Sequence, residues 1–128
     1  MISQTFDTHS GKLEVREDGI LHARTDSGAV VTLEDAKNSL SSLPALHGHG
    51  KQLLMVDLRG MNSMSREARE FYAGEEVATV LAAIALIVGS PISRMIGSFF
   101  LGFNRPRIPL RLFTSEEHAV QWLKKHAP

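Results

Sequence analysis

The residues best suited to chemistry stand close together at positions 57–65, DLRGMNSMS. Asp57 offers a carboxylate, Arg59 a guanidinium, and Ser63 and Ser65 hydroxyls that precede a helical pattern. A carboxylate closing a buried strand can orient a ligand or a metal ion. In its structural role the same group accepts the N–H groups of the turn that follows. A phosphate on Ser63 or Ser65 would meet free helix N–H groups and the positive end of the helix dipole, with Arg59, Arg66 and Arg69 to pair it. The competing role for either serine is an N-cap. Asp57, Arg59, Ser63 and Ser65 are therefore the candidate switch or ligand edge.

A second candidate is the segment after Ser90-Pro91, SPISRMIGSFFLGFNRP. Ile92, Met95, Ile96, Phe99, Phe100 and Phe103 recur at helical spacing and cover an apolar arc of roughly 140°. Leu101 falls opposite, beside Arg94, and Arg105 and Arg107 follow. An amphipathic, basic-edged helix can dock a lipid-like ligand, an anionic surface or a partner helix. It also serves as a plain core helix with solvated arginines. Arg94, Phe99, Phe100, Leu101 and Arg105 are the candidate interaction residues, and a homodimer through Phe100 and Leu101 is one way to use them.

Other chemistry is poorly provided for. Without cysteine, disulfides, thiolate metal sites and cysteine nucleophiles are excluded. His47-Gly48-His49 has no third ligand in sequence, and it reads as a flexible connector; no metal site is expected. His22 and His118 read as surface or partly buried. The chain has no G-x-S-x-G, H-E-x-x-H, P-loop or dinucleotide fingerprint. The expectation is a protein that is not an enzyme and carries no cofactor.

The elements that would position these residues fit one domain over residues 1–128. Hydrophobic residues make up 43% and charged residues 22%, an ordinary globular balance. The formal charge is zero, which argues against a nucleic-acid partner. Residues 1–89 carry a net −4 and residues 90–128 a net +4. The first residues show no signal peptide and the longest apolar stretch, 77–88, is too short to span a bilayer, so a cytoplasmic location is expected.

Leu13–Arg16 and Ile20–Arg24 alternate as half-buried strands, joined by a two-residue primed turn at Asp18-Gly19. Ala29–Val31 adds a short extended piece. Thr32 opens a helix that carries Leu33, Ala36, Leu40 and Leu43 on one stripe and stops at Pro44. The apolar run in KQLLMVD is a strand buried on both faces. A helix from Ser63 or Ser65 follows and stops at Gly74, then a strand over about 81–88. Ser90 caps the next helix and Pro91 occupies its first turn. Ile108–Phe113 is the last strand, Pro109 marking an edge or bulge, and Thr114 with Glu117 makes a capping box for a closing helix on Ala119, Val120, Trp122 and Leu123. The order is β-β-α-β-α-β-α-β-α. It predicts an α/β fold with one mixed, mostly parallel sheet, helices packed on it and an antiparallel N-terminal hairpin.

This order, with VDLRG leading into SMSREAREF, resembles the small SpoIIAA-like (STAS) α/β domains and their CRAL-TRIO-like relatives over the whole chain from Leu13. The blocks SPISRMIGSFFLGFNRP and RLFTSEEHAVQWLKK resemble uncharacterised bacterial members of that superfamily. The resemblance implies a regulatory or protein-interaction domain, with the phosphorylatable serine of the family near Ser63 or Ser65. Ser65-Arg66 stands where that family has Ser-Gly. The CRAL-TRIO-like relatives imply the alternative, a small carrier of an apolar or lipid-like ligand under the 92–103 helix.

Overall fold

The computed structural model describes residues 2–8, 11–47, 50–102 and 106–127. The apolar run becomes β5 (Gln52–Asp57), which lies inside a six-stranded sheet. The strands in chain order are β1 (Ile2–Thr8), β2 (Gly11–Arg16), β3 (Leu21–Thr25), β4 (Val30–Val31), β5, β6 (Ser63–Met64), β7 (Leu81–Ile87) and β8 (Leu110–Phe113). The helices are α1 (Leu33–His47), α2 (Arg66–Tyr72), α3 (Glu75–Val80), α4 (Pro91–Gly102) and α5 (Glu116–Lys124). The large sheet runs β1-β2-β3-β5-β7-β8, antiparallel across β1, β2 and β3 and parallel from β3 onward. β4 and β6 pair separately as a short parallel ribbon.

From β3 the parallel strands advance in one direction across the sheet. A constant right-handed crossover then places every connecting helix on one face. Accordingly α1, α2, α3 and α4 bury Ala36, Ala68, Val77, Ile96 and Phe100 against Leu13, Val15, Leu21, Leu54, Ile84 and Leu86. The opposite face receives only α5, whose Ala119, Val120 and Leu123 pack on Met55, Ala83, Ala85 and Ile87. Strand parity thus sorts the side chains: Leu54 and Leu86 go one way, Met55, Asp57 and Ile87 the other. No described helix is long and apolar enough to cross a membrane.

Several boundaries differ from the sequence reading. An additional strand, β1, precedes the hairpin; β6, which pairs with the expected extended piece at Val30–Val31, and α3 are also extra elements. The hairpin turn holds three residues, 17–19, because Gly19 N–H donates to Arg16 O and Arg16 N–H to Ile20 O. Only Gly19 takes positive φ there, 86°, so Asp18 is not in a primed turn. α1 continues through Pro44 to His47: proline removes one helical hydrogen bond and disfavours helix at the preceding residue, costs the rest of the helix absorbs. The cap of α5 is Ser115, whose hydroxyl accepts the His118 N–H at 3.3 Å, one residue later than expected. α2 ends at Tyr72 with Ala73 as its C-cap, and Gly74 instead begins α3. The caps of α1 and α4 follow expectation, Thr32 pairing with Asp35 and Ser90 accepting the Ser93 N–H.

Candidate functional site

Asp57 closes β5 at the C-terminal edge of the parallel strands. Its Oδ1 accepts the Arg59 backbone N–H at 2.9 Å, the turn-fixing role expected of a strand-end aspartate. The Arg59 guanidinium grips both carboxylate oxygens, Nε at 3.0 Å and Nη2 at 2.8 Å. The same Nη2 reaches Glu116 Oε2 at 3.0 Å, tying the β5 edge to the first turn of α5. Burial pulls the Asp57 carboxyl upward, but the hydrogen bonds and charge of Arg59 outweigh it and hold it below its ordinary value.

Strand parity brings three further groups to this face. Glu14 on β2 stands opposite His22 on β3, and Arg24 on β3 stands beside Asp57 on β5. The Arg24 Nε donates to Glu14, and its Nη2 lies 3.8 Å from Glu116. His22 is buried, 2% exposed, with Nδ1 3.8 Å from the Glu14 carboxylate and Nε2 without a hydrogen-bond partner. Burial, reinforced by the charge of Arg24, pushes the imidazole below its ordinary value against the pull of Glu116, Glu14 and Asp57. One donor atom from each of His22, Asp57 and Glu116 lies within 4.8 Å of the others.

The sequence reading named Asp57 and Arg59, took His22 as surface or partly buried where it is fully buried, and passed over Glu14, Arg24 and Glu116. Period-two alternation does put Glu14 and His22 on one face. Their meeting with Asp57 and Glu116 depends on β3 pairing with β5 and on α5 crossing that face, neither of which is local.

The serines belong to a different place. Ser65 is the N-cap of α2, its hydroxyl accepting the Ala68 N–H at 3.1 Å. Ser63 is exposed in β6, paired with Val30. The arginines proposed to receive a phosphate are already engaged. Arg59 holds Asp57 and Glu116, Arg66 pairs with Glu70 at 3.0 Å, and Arg69 donates to Met64 O and lies over the Phe99 ring at 4.3 Å.

The interaction helix is also rearranged. α4 buries Ser93, Ile96, Gly97 and Phe100, a face turned by roughly 80° from the centre of its apolar arc. Glycine permits this: a Cβ at Gly97 would stand 2.9 Å from Leu112 Cδ2 and 3.3 Å from Val88 Cγ1, so the helix seats closest along its small residues. Phe100, expected at an interface, is a core residue at 2% exposure. Phe99 is half-buried, while Ile92 and Met95 on one flank and Leu101 and Arg94 on the other remain exposed. Arg105 and the His49 of the expected connector lie outside the described residues.

On the face opposite His22, a cavity of about 80 Å³ lies between the sheet and the helices. Ala23, Leu54 and Val56 form part of its floor, and Leu40, Tyr72 and Phe100 line it from α1, α2 and α4. Ala23, Leu40, Val56 and Tyr72 keep partial exposure, so the space communicates with solvent. Lys12, Arg24, Thr25 and Ser39 also line it, and the Tyr72 phenol hydrogen-bonds Ser39 and is pushed up to about 12 by burial.

The chain belongs to a family described as a domain of unknown function, DUF7793, whose model matches residues 13–127. Its fold is similar to that of an uncharacterised DUF3478-family protein from Shewanella loihica PV-4 with a SpoIIAA-like fold. The two share 16% identity, with a TM-score of 0.57 over 96% of this chain and 92% of that one. A protein of unknown function from Arthrobacter sp. FB24 is 34% identical, covering 88% of this chain and 97% of its own, with a TM-score of 0.34. No curated protein matches the chain. The mixed, mostly parallel sheet with packed helices is thus a SpoIIAA-like fold, as the order of elements implied.

Proposed function

We propose that this domain is a non-enzymatic, cytoplasmic binding module that receives a narrow apolar group, such as the end of an alkyl or acyl chain. The cavity beneath α1, α2 and α4 carries the reading. A mainly apolar pocket with a few polar groups in its lining is the default binding site of a small domain. At about 80 Å³ it is roughly half the ~150 Å³ cavity that accommodates benzene. That capacity suits a few methylenes rather than a whole lipid, with the remainder of a longer molecule staying outside. Catalysis has little support, since Asp57, Arg59 and Glu116 are paired with one another and Ser65 caps a helix.

Native mass spectrometry of untagged protein from a bacterial lysate, beside the denatured mass, tests retention of a ligand and gives the oligomeric state. Titration with n-alkanols of increasing length tests the site itself. Each methylene entering the cavity adds about 0.8 kcal/mol, or about fourfold in affinity, until the space is full. Affinity independent of chain length would refute the proposal.

A second reading, a protein or self contact of a regulatory kind, is favoured by the exposed flank of α4, where Met95 is 55% and Ile92 39% exposed. Met95→Asp should abolish such association and leave alkanol binding intact; Phe100, being core, is unsuited to this test.

A further inference from the structure

We infer that His22, Asp57 and Glu116 form a binding site for a borderline divalent transition-metal ion, of the Zn²⁺, Co²⁺ or Ni²⁺ class, whose place Arg59 fills as a tethered cation. The site lies on the α5 face of the sheet, away from the apolar cavity, so the two proposals stand or fall separately. Three elements bring the donors together: β3 supplies His22, β5 Asp57 and the first turn of α5 Glu116. Their donor atoms already lie within 4.8 Å of one another. Bonds of about 2.0–2.2 Å to one ion require the three donors to draw closer still.

The histidine gives the independent sign. Its side chain is 2% exposed, and Nε2 has no hydrogen-bond partner although the ring is surrounded by polar groups. The Glu14 carboxylate lies 3.8 Å from Nδ1, beyond hydrogen-bond distance, where its charge favours a proton on that nitrogen. A proton there would leave the Nε2 lone pair free for a cation. Such a nitrogen calls for a cation.

Arg59 shows how the site is occupied meanwhile. One Nη2 bridges the two carboxylates, at 2.8 Å from Asp57 and 3.0 Å from Glu116, as a shared metal ion would. The Arg59 side chain is 45% exposed and rests over Gly89, so it can swing into solvent. Once it leaves, Glu14, Asp57 and Glu116 face only Arg24, a net charge of −2 that a divalent ion neutralises. One imidazole and two carboxylates suit zinc, cobalt or nickel better than magnesium or calcium, which prefer all-oxygen shells. Three protein ligands leave a further position for water.

The test is titration of the untagged full chain with Zn²⁺ by calorimetry and with Co²⁺ by visible absorption. The expected result is one ion per chain. Arg59→Gln, which removes the competing guanidinium from an exposed turn, should raise affinity about tenfold. His22→Gln should lower it by ~100-fold or more, while His47→Ala with His49→Ala leaves it unchanged. Circular dichroism establishes that each variant is folded; should His22→Gln not fold, the Arg59→Gln gain decides alone. Absence of binding in both the parent and Arg59→Gln, or binding indifferent to His22→Gln, overturns the site.

Discussion

Ala23→Val separates a genuine ligand cavity from ordinary core packing. Ala23 sits on β3 between Leu13 of β2 and Val56 of β5, and its methyl lines the cavity. An unfilled void costs about 24 cal/mol per Å³, so 80 Å³ corresponds to about 2 kcal/mol of forgone stability. Valine adds two methyl groups, worth at most about 1.6 kcal/mol if both become fully buried. Ala23 keeps partial exposure, which reduces the gain, while the β-branched side chain suits a strand. The net expectation is stabilisation by about 1 kcal/mol, or roughly 3–5 °C in Tm for a domain of this length. Urea and thermal unfolding followed by circular dichroism measure it. Alkanol affinity should fall in the same variant by about tenfold, since the added carbon occupies the ligand's space. Stability and binding therefore move in opposite directions. Destabilisation beyond about 1 kcal/mol would mean that the space is already filled, because overpacking costs about that much or more. Stabilisation with undiminished binding would show that ligands do not enter there.

Tyr72 is the only tyrosine in the chain, so its ultraviolet ionisation can be read directly and should have a midpoint near 12 rather than the ordinary phenol value of about 10. The fold holds the neutral phenol, so the unfolded chain loses its proton first. Stability is complete below pH 10 and falls through pH 10–12 by up to about 3 kcal/mol; Tyr72→Phe should lack this component, and a midpoint of 10 in the folded protein would contradict the burial argument. Ser65→Ala should cost about 1 kcal/mol in urea unfolding, with Ser65→Asp close to wild type and Ser63→Ala within ~0.5 kcal/mol. Equal losses at both serines would dismiss the cap assignment. At Gly11 a Cβ would stand 1.9 Å from the Arg24 carbonyl oxygen, so Gly11→Ala must part β2 from β3. A loss of at least about 2 kcal/mol is expected, and a neutral effect would show that the strand pair is looser than described.

The strand at 52–57 was legible because six residues of mainly apolar character can be buried on both faces only inside a parallel sheet. The caps at Thr32 and Ser90, and that of α2 as Ser63 or Ser65, were legible for a related reason: a side-chain oxygen next to free N–H groups is a local interaction. Misreadings arose where a local preference met a distant partner. Ser115 displaced Thr114 as a cap, and Glu116 in the first turn of α5 meets Arg59, on the turn after β5, and Arg24 of β3. α4 was read by its phenylalanines, yet Gly97 and Ser93 set its seat because small residues let a helix approach Leu112 and Val88 most closely.

What the sequence determined by itself is what nearest neighbours determine: alternation, helical spacing, caps and turns, and from their order the SpoIIAA-like arrangement. Crossover handedness then sent four helices to one face. Only the tertiary structure decided what meets what. It left most of the other face to α5, buried His22 among charges drawn from β2, β3, β5 and α5, and left an apolar space above Ala23 and Val56. The reason is geometric: a local pattern specifies which way a side chain points, whereas its partner depends on strand order, and the fit of helix to sheet depends on volumes summed over distant residues.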